Sequence, residues 1–487
     1  MAGPLLAIVV FSILPETYLN ALGNPVVLPE NARMVAAIAT LMAVWWLTEA
    51  TSVYVTALLP LALFPLTGIA DIKTTATSYG NPIVYLFLGG FILALALERW
   101  GLHKRLALNV LAMVGGRPRT IVGVFMAISA ILSMWVTNTA TTIMLLPVAI
   151  SVIAMMPGDD LADNSADSPF ALCLLLGIAY AASIGGMGTI IGTAPNIFVV
   201  SFLSEHLNKD IGFLEWMRFA VPIVIILVPI TWVVLTYFIY PVDTEEIAGT
   251  TKLLKSKKAK LPPLQKGEVL TLLVFILTAL AWVLRPLLNR LEFAGHQPLT
   301  GLTDAGIAII AAIILFICPV SLHQRKFLMD WQTAAKLPWG LLILFGGGLA
   351  LAARLSDSGF SNYLGNLAGG FAGLPEWMVV MLLISVVVFL TELTSNTATT
   401  ATFVPVILAV AVGLQLPPLM LILPATLAAS CAFMLPVATP PNAIIFGSGY
   451  LRISQMSRAG FWLNLVAIAL ITLATWAIIL PAMGLDY

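Results

Sequence analysis

Long apolar runs follow one another along almost the whole chain, and this feature limits the possible folds more than any other. The runs at 222–240 and 461–480, for example, each have close to the length of about 20 residues that a helix needs to cross a bilayer. Inside hydrocarbon, every backbone N–H and C=O group must be bonded within the protein, which leaves helices for such segments. With 60% hydrophobic and 9% charged residues, the sequence predicts an all-α polytopic membrane protein with roughly ten to twelve crossings.

Several other classes of protein are disfavoured by the spacing of the reactive residues. Cys173, Cys318 and Cys431 lie singly in apolar runs without a CxxC motif, and the four histidines are scattered, so neither residue type predicts a metal site. No basic patch with interleaved aromatic residues indicates a nucleic-acid partner. No nucleophile and base stand at a spacing typical of an enzyme. We therefore predict that the chain is not an enzyme and binds no nucleic acid.

One polar phrase occurs twice within this apolar sequence. Thr-Asn-Thr-Ala-Thr-Thr occupies 137–142, and Ser-Asn-Thr-Ala-Thr-Thr occupies 395–400. The apolar flanks of each phrase are short for full crossings, which favours a helical hairpin that enters and leaves on the same face. A single phrase could merely cap a helix or join packed spans. Its repetition favours a binding role, because unpaired polar groups in hydrocarbon cost several kcal/mol.

The two halves of the chain can be aligned on one another. Gly89, Gly101 and Asn138 have counterparts 258 positions further on, and the Thr-x-Pro-Asn sequence at 193–196 recurs 246 positions further on, at 439–442. Glycine and proline at these two places predict helices that are broken within the membrane. If each half contains five crossings and one hairpin, the second half is inverted relative to the first, and the two hairpin tips meet near the midplane.

This alignment predicts four segments. They are an N-terminal span at 1–30, a first inverted repeat with a hairpin and a broken helix at 31–242, a basic cytoplasmic linker at 243–265, and a second inverted repeat with a hairpin and a broken helix at 266–487. The linker is expected to be a polar loop. An N-terminus in the cytoplasm places sixteen of the 23 basic residues on the cytoplasmic side, as the positive-inside rule requires.

The chemistry of the two phrases favours anions and small cations together. Hydroxyl and carboxamide groups offer neutral oxygen atoms and N–H donors, and the helix that begins after each phrase directs its positive end toward an anion. Backbone carbonyls released at Gly192 and Ala438 are hard ligands suited to an alkali cation. Neither phrase contains Lys or Arg, so a bound anion would gain from bound cations. An ion channel is less favoured, because the polar groups concentrate at one depth.

Four motifs resemble the divalent anion/sodium symporter family, which includes the INDY-type dicarboxylate carriers. They are the paired phrases at 137–142 and 395–400, Trp-Trp-Leu-Thr-Glu-Ala at 45–50, Phe-Leu-Thr-Glu at 389–392 and Met-Leu-Pro-Val-Ala-Thr-Pro-Pro-Asn at 434–442. The resemblance covers essentially the whole chain. It implies about eleven transmembrane helices, two opposed re-entrant hairpins in an inverted-topology repeat, a homodimer and elevator-type alternating access.

The resemblance also implies which residues bind Na⁺ and substrate. One sodium site would use Ser133, Thr137, Asn138 and the Gly192 carbonyl, and the other would use Thr391, Ser395, Asn396 and the Ala438 carbonyl. The substrate carboxylates would meet Asn138, Thr139, Thr193, Ser395, Asn396, Thr397, Thr439 and Pro440. Thr137 and Thr391 stand where the family usually has serine, so both hydroxyls are kept while a methyl group is added.

The resulting expectation is a secondary active transporter in the bacterial inner membrane. It would import C4-dicarboxylates such as succinate, malate or fumarate together with sodium. A sodium-independent dicarboxylate exchanger, a citrate carrier and a sulfate carrier of the same family remain alternatives.

Overall fold

The computed structural model describes residues 2–20, 24–113, 115–155, 168–242, 247, 249–292, 296–371 and 373–485. Within these ranges the chain is almost entirely helical, which confirms the predicted fold class. The helices up to the middle of the chain are α1 (Ala2–Ile13), α2 (Glu30–Thr48), α3 (Val53–Thr56), α4 (Leu59–Leu66), α5 (Ile72–Thr77), α6 (Pro82–Arg99), α7 (Leu102–Leu111), α8 (Pro118–Ser133), α9 (Asn138–Ile153), α10 (Pro169–Gly186), α11 (Ala194–Leu207) and α12 (Phe213–Val233).

The remaining helices lie in the second part of the chain. They are α13 (Thr250–Ala259), α14 (Lys266–Leu288), α15 (Asp304–Ile317), α16 (Trp331–Ala334), α17 (Trp339–Asp357), α18 (Phe360–Ala368), α19 (Glu376–Thr391), α20 (Asn396–Gly413), α21 (Pro418–Ala429), α22 (Pro440–Phe446), α23 (Ile453–Ala474) and α24 (Leu480–Ala482). Two small antiparallel hairpins complete the described structure, β1 (Thr17–Leu19) with β2 (Pro25–Val27) and β3 (Pro319–Ser321) with β4 (Lys326–Phe327).

Eight helices in the described ranges are long and apolar enough to cross a membrane. The shorter apolar helices include α1, α8, α9, α15 and α21. This mixture of lengths is expected, because a hairpin arm or one half of a broken helix covers only part of the bilayer thickness.

The order of helices from α6 to α12 recurs from α17 to α23. Helices α7 and α18 each start after a glycine with positive φ, Gly101 (φ 66°) and Gly359 (φ 84°), a backbone conformation that glycine adopts without steric cost. At the other end of each half, α12 continues into a π-helical turn at Val234–Ile239, and α23 continues into one at Thr475–Ile479. The repeat read from the sequence therefore extends beyond the motifs that revealed it.

The halves interlock through two matched glycine contacts. Helix α6 of the first half packs against α15 of the second, and a methyl group added at Gly89 would lie 2.5 Å from the Ala308 carbonyl carbon. Helix α17 of the second half packs against α3 and α4, where Gly347 meets the backbone of Ala57 equally closely. Only glycine permits such an approach of two backbones, so the two halves pack directly against each other at both places.

The predicted linker differs from the sequence expectation of a polar loop, because its central part forms helix α13. The Leu254 side chain is fully buried, and the Lys257 ammonium donates a hydrogen bond of 2.7 Å to the Ser151 hydroxyl at the end of α9. These two attachments hold a helix that is otherwise polar. The segment boundaries at 30, 242 and 265 remain predictions.

Candidate functional site

Each repeated phrase forms the tip of a helical hairpin, and both tips contain the same side-chain hydrogen bond. In the first hairpin, α8 ends at Ser133 and α9 begins at Asn138, and the Ser133 hydroxyl donates to the Asn138 carboxamide oxygen. In the second, α19 ends at Thr391 and α20 begins at Asn396, and the Thr391 hydroxyl donates to the Asn396 carboxamide oxygen at 2.7 Å. The structure thus pairs the predicted ligands within each tip.

The tips differ at the residue that precedes the asparagine. The Thr137 hydroxyl caps α9 by accepting a hydrogen bond of 3.3 Å from the Ala140 amide. Ser395 holds the equivalent position before α20, but in the described part of the chain its side chain makes no such cap bond. Its hydroxyl is therefore free to contact a ligand, whereas Thr137 already shares its oxygen with the helix.

Two broken helices face these tips. The first break separates α10, which ends at Gly186, from α11, and the second separates α21 from α22. Asn196 donates from its side-chain nitrogen to the carbonyls of Gly186 (3.1 Å) and Thr189 (2.8 Å). Asn442 makes the equivalent bonds to the carbonyls 246 positions further on, those of Ala432 (3.1 Å) and Leu435 (3.0 Å).

These two asparagines fix the shape of both breaks, because each satisfies carbonyls that have left the helical hydrogen-bond pattern. Sequence analysis quoted them only as the last residue of a repeated motif. Their role was recognisable in principle, since a carboxamide two residues into a helix that follows a break can reach back across it.

The first tip lies directly over the first break. A methyl group added at Gly186 would be 2.7 Å from the Asn138 carboxamide oxygen, and one added at Gly192 would overlap the Gly186 carbonyl. The corresponding positions in the second half are Ala432 and Ala438. The two breaks are thus built from paired small residues, which are glycines in the first break and alanines in the second.

The donor set at the first tip fits a hard cation. The Ser133 hydroxyl, the Asn138 carboxamide and backbone carbonyls supply neutral oxygens, which alkali cations prefer. The buried hydroxyls of Thr141 and Ser183 have no hydrogen-bond partner within the described residues, so oxygen atoms in this region are not fully used by the protein itself.

Glu392 gives the second tip a feature that the first tip lacks. Its buried carboxylate accepts hydrogen bonds from the backbone amides of Phe433 (2.6 Å), Met434 (2.9 Å) and Leu435 (3.1 Å), which all lie in the second break. The Asn464 carboxamide of α23 donates to the same carboxylate at 2.7 Å. Glu392 therefore holds the break open from the hairpin side.

The counterpart of Glu392 in the first half is Met134, whose backbone carbonyl accepts a hydrogen bond from the Thr189 hydroxyl and whose side chain packs against Gly188 in the first break. Sequence analysis noted Glu392 as part of a motif and gave it no role. Its signal was an acidic residue within an apolar region, a placement that usually marks a specific partner.

The breaks and the tips are brought together across the two halves. Helix α11 packs against α20, and α22 packs against α9, so each broken helix contacts the hairpin of the other half. In addition, the buried Tyr180 hydroxyl on α10 donates to the Phe433 carbonyl in the second break at 2.7 Å. These contacts join the two halves around the broken helices.

The residues expected at the substrate are distributed around this site with different exposure. Asn138, Thr139, Thr193, Ser395 and Asn396 are half-buried, Thr397 and Thr439 are buried, and Pro440 is exposed. The half-buried group includes the first residues or caps of α9, α11 and α20. Each of these three helix starts therefore carries polar side chains that remain accessible, and the positive end of a helix favours an anion.

Paired hairpins and broken helices that meet in this way define a membrane transporter. Residues 4–483 match the family model described as the sodium:sulfate symporter transmembrane region, and the chain belongs to this family. The resemblance found in the sequence motifs is thereby confirmed.

Two curated relatives have similar lengths and a common description, sodium-dependent dicarboxylate transporter SdcS. The relative from Staphylococcus saprophyticus is 38% identical over 465 residues, which cover 94% of this chain and 88% of the relative. The relative from Staphylococcus aureus strain MRSA252 is 40% identical over 467 residues, which cover 95% and 89% of the two chains.

A solved structure has the same fold at much lower sequence similarity. The YdaH transporter of Alcanivorax borkumensis, whose crystal structure was described as having an unusual topology, is similar with a TM-score of 0.60 at 14% identity. The match covers 97% of this chain and 95% of that transporter, so the likeness of the fold extends over both molecules.

Proposed function

We propose that the protein is a secondary active transporter that imports C4-dicarboxylates, such as succinate, malate or fumarate, together with sodium ions. The observation that carries this proposal is the pair of neutral, oxygen-rich tips, each with a hydroxyl bonded to an asparagine carboxamide. The relatives at 38% and 40% identity bear names that specify the same class of activity.

The two tips supply one cation site each. The first sodium ion would be held by Ser133, Thr137, Asn138 and the Gly192 carbonyl. The second would be held by Thr391, Ser395, Asn396 and the Ala438 carbonyl. The close approach of Asn138 to Gly186 supports the first assignment, because it places the carboxamide beside the first break. Bound sodium supplies the positive charge that the tips themselves lack.

The substrate would lie between the two tips. A dicarboxylate has two anionic ends, and the site offers a hydroxyl-and-amide cluster at each of two helix starts. Asn138, Thr139 and Thr193 would bind one carboxylate, while Ser395, Asn396, Thr397, Thr439 and Pro440 would bind the other. Neutral donors of this kind bind an anion more weakly than an arginine does, which makes binding dependent on the cations.

The wider arrangement follows from the repeat. We place the N-terminus and the linker at 243–265 in the cytoplasm of a bacterium, with the two repeats at 31–242 and 266–487 inserted in opposite directions in the inner membrane. Elevator-type alternating access and a homodimer complete the proposal. The excess of basic residues on the linker side supports this orientation.

A methyl group at Gly186 should weaken sodium binding at the first tip. The Gly186→Ala variant brings its Cβ to 2.7 Å from the Asn138 carboxamide oxygen, so the carboxamide must move away from its ligand position. We expect an approximately tenfold rise in the sodium concentration that gives half-maximal uptake, in keeping with about 1–3 kcal/mol for overpacking. The measurement is the sodium dependence of succinate uptake into proteoliposomes.

The matched control is Gly80→Ala, because an added Cβ at Gly80 meets no atom within 4 Å. This variant should keep the sodium dependence of the unmodified protein. Equal sodium dependence in Gly186→Ala and Gly80→Ala would remove the assignment of the first cation site.

A counterflow experiment separates the proposed symport from exchange and defines the substrate. Proteoliposomes loaded with unlabelled succinate are placed in labelled succinate, with and without sodium on both sides. We expect accumulation of label only with sodium, and inhibition by external malate and fumarate. Counterflow without sodium would favour the sodium-independent exchanger. Stronger inhibition by citrate than by malate would indicate a citrate carrier, and stronger inhibition by sulfate would indicate a sulfate carrier.

A further inference from the structure

A cleft remote from the two tips joins three elements on the linker side of the protein. It has a volume of about 480 Å³ and lies between the surface helix α7, the hairpin arm α9 and the linker helix α13. The cleft contacts α9 from Ile143 onward, whereas the hairpin tip contains Asn138, the first residue of that helix. The sites proposed for sodium and dicarboxylate do not use it.

The walls of the cleft are apolar, and its rim is basic. The walls are formed by Leu108, Ile143, Met144, Pro147, Val148, Leu261 and Pro262. The rim is provided by Lys104 of α7, Lys257 of α13 and Lys260, which directly follows α13, and no acidic residue is among the described residues that line the cleft. The cleft thus combines apolar surface with three positive charges, a pattern that fits an amphiphilic anion.

The three ammonium groups are close enough to influence one another. Burial lowers the pKa of the Lys257 side chain, and the neighbouring charges of Lys104 and Lys260 lower it further. The only described partner of the Lys257 ammonium is the neutral Ser151 hydroxyl. The repulsion between these lysines therefore remains uncompensated by carboxylates of the described residues, and an anion at the rim would relieve it.

The surroundings place the cleft at the boundary between apolar and polar surface. Ile143 on the wall is 55% exposed, and Leu106 and Val110 on the neighbouring helix α7 are 44% and 47% exposed. Lys260, at the end of α13, is exposed as well. Exposed apolar side chains beside lysines are typical of a surface that meets lipid headgroups.

We propose that this cleft binds one anionic phospholipid, with the headgroup phosphate at Lys104, Lys257 and Lys260 and an acyl chain along the exposed apolar side of α9. Charge complementarity selects an anion, and the apolar wall selects an anion that carries a hydrocarbon chain. A small soluble anion would use the lysines and leave the wall uncovered. The bound lipid would join the arm of the first hairpin to α7 and α13.

The test compares lipid retention by two triple variants of the full-length protein. The cleft variant is Lys104→Gln/Lys257→Gln/Lys260→Gln. The matched control is Lys252→Gln/Lys255→Gln/Lys258→Gln, which removes the same charge from exposed positions of α13 outside the cleft. Each purified protein is equilibrated in detergent micelles with phosphatidylglycerol or phosphatidylcholine. The bound lipid per chain is then counted by mass spectrometry of the intact complex.

We expect the unmodified protein and the control variant to retain one phosphatidylglycerol. The apparent affinity of the cleft variant for this lipid should fall by about tenfold or more, since lysines near anionic lipids act additively. Phosphatidylcholine should bind weakly to all three proteins. Millimolar glycerol 3-phosphate or inorganic phosphate should not displace the lipid, because neither contacts the apolar wall.

Three results would overturn the proposal. They are equal retention of phosphatidylglycerol by the cleft and control variants, equal retention of phosphatidylcholine and phosphatidylglycerol by the unmodified protein, and full displacement by the soluble phosphates. If the cleft triple variant does not fold, Lys104→Gln/Lys260→Gln preserves the bond between Lys257 and Ser151. This double variant should still lose most of the bound lipid, and retention at the level of the control would equally exclude the site.

Discussion

Replacing either tip asparagine by alanine should abolish sodium-driven succinate uptake. We expect Asn138→Ala and Asn396→Ala each to lower the initial rate by about a hundredfold or more, since a lost contact to a charged ligand is worth about 1.5–3 kcal/mol and each asparagine is proposed to contact both an ion and the substrate. Each carboxamide oxygen also accepts the hydroxyl of the preceding helix end, from Ser133 or Thr391. Removal of the carboxamide therefore removes the hydrogen bond within the tip and the proposed contacts to the ion and the substrate.

The variants must be compared with a protein that loses an asparagine elsewhere. Asn362→Ala on α18 is a suitable control, because Asn362 is exposed and remote in sequence from both tips. It should transport at the rate of the unmodified protein. Expression level, monodispersity in detergent and melting temperature should be similar in all three variants. Full activity of either tip variant would show that the site is placed wrongly.

Replacing Glu392 should destabilise the protein strongly. The Glu392→Ala variant leaves three backbone amides of the second break and the Asn464 carboxamide without their acceptor. Loss of one partner from a buried, charged hydrogen-bond network costs on the order of 3–5 kcal/mol. We expect a melting temperature several degrees lower in detergent and a loss of uptake in the fraction that remains folded, because the break carries the proposed Ala438 ligand.

Two further variants make this result specific. Glu392→Gln keeps one carbonyl oxygen as an acceptor but turns an amide nitrogen toward the backbone donors, so its melting temperature should fall between those of the alanine variant and the unmodified protein. Glu376→Gln removes a carboxylate from the start of the same helix α19, where no described hydrogen bond depends on it, and should leave the melting temperature unchanged. A melting temperature unaffected in Glu392→Ala would exclude its role in holding the break.

Much of the architecture could be predicted because the sequence contains its key motifs twice. The two phrases with Asn138 and Asn396 predicted the hairpins, and the two Thr-x-Pro-Asn motifs predicted the broken helices. The structure then added matched features that no motif revealed, such as the contacts of Gly89 and Gly347 with the opposite half. A repeated local pattern predicts repeated local structure, whereas packing partners depend on how the two copies meet.

The parts that could not be predicted depend on contacts between distant positions. Glu392 binds amides 41 to 43 residues further along the chain, and Tyr180 binds a carbonyl 253 residues away. Neither distance leaves a periodic signal in the sequence. Helix α13 was predicted as a loop for a related reason, since its polar sequence is held by one buried leucine and one bond to Ser151. Local composition alone does not record such attachments.

The difference between the two tips has a consequence for ion binding. Thr137 caps α9 with its hydroxyl oxygen, whereas Ser395 has no equivalent cap bond in the described residues. The first break also has Gly186 and Gly192, where an added methyl group would clash, at the positions that Ala432 and Ala438 hold in the second break. The two proposed cation sites are thus related by the repeat without being identical, and we expect them to differ in affinity.

Uptake of labelled succinate into proteoliposomes tests the central claim most directly. The purified protein is reconstituted without sodium inside, and uptake is followed with sodium outside or with an equal concentration of choline outside. The account predicts accumulation of succinate above its external concentration only under the inward sodium gradient, because bound sodium supplies the charge that the neutral tips lack. Equal uptake in sodium and in choline would contradict sodium coupling, and no uptake of any C4-dicarboxylate in either condition would contradict the proposed substrate.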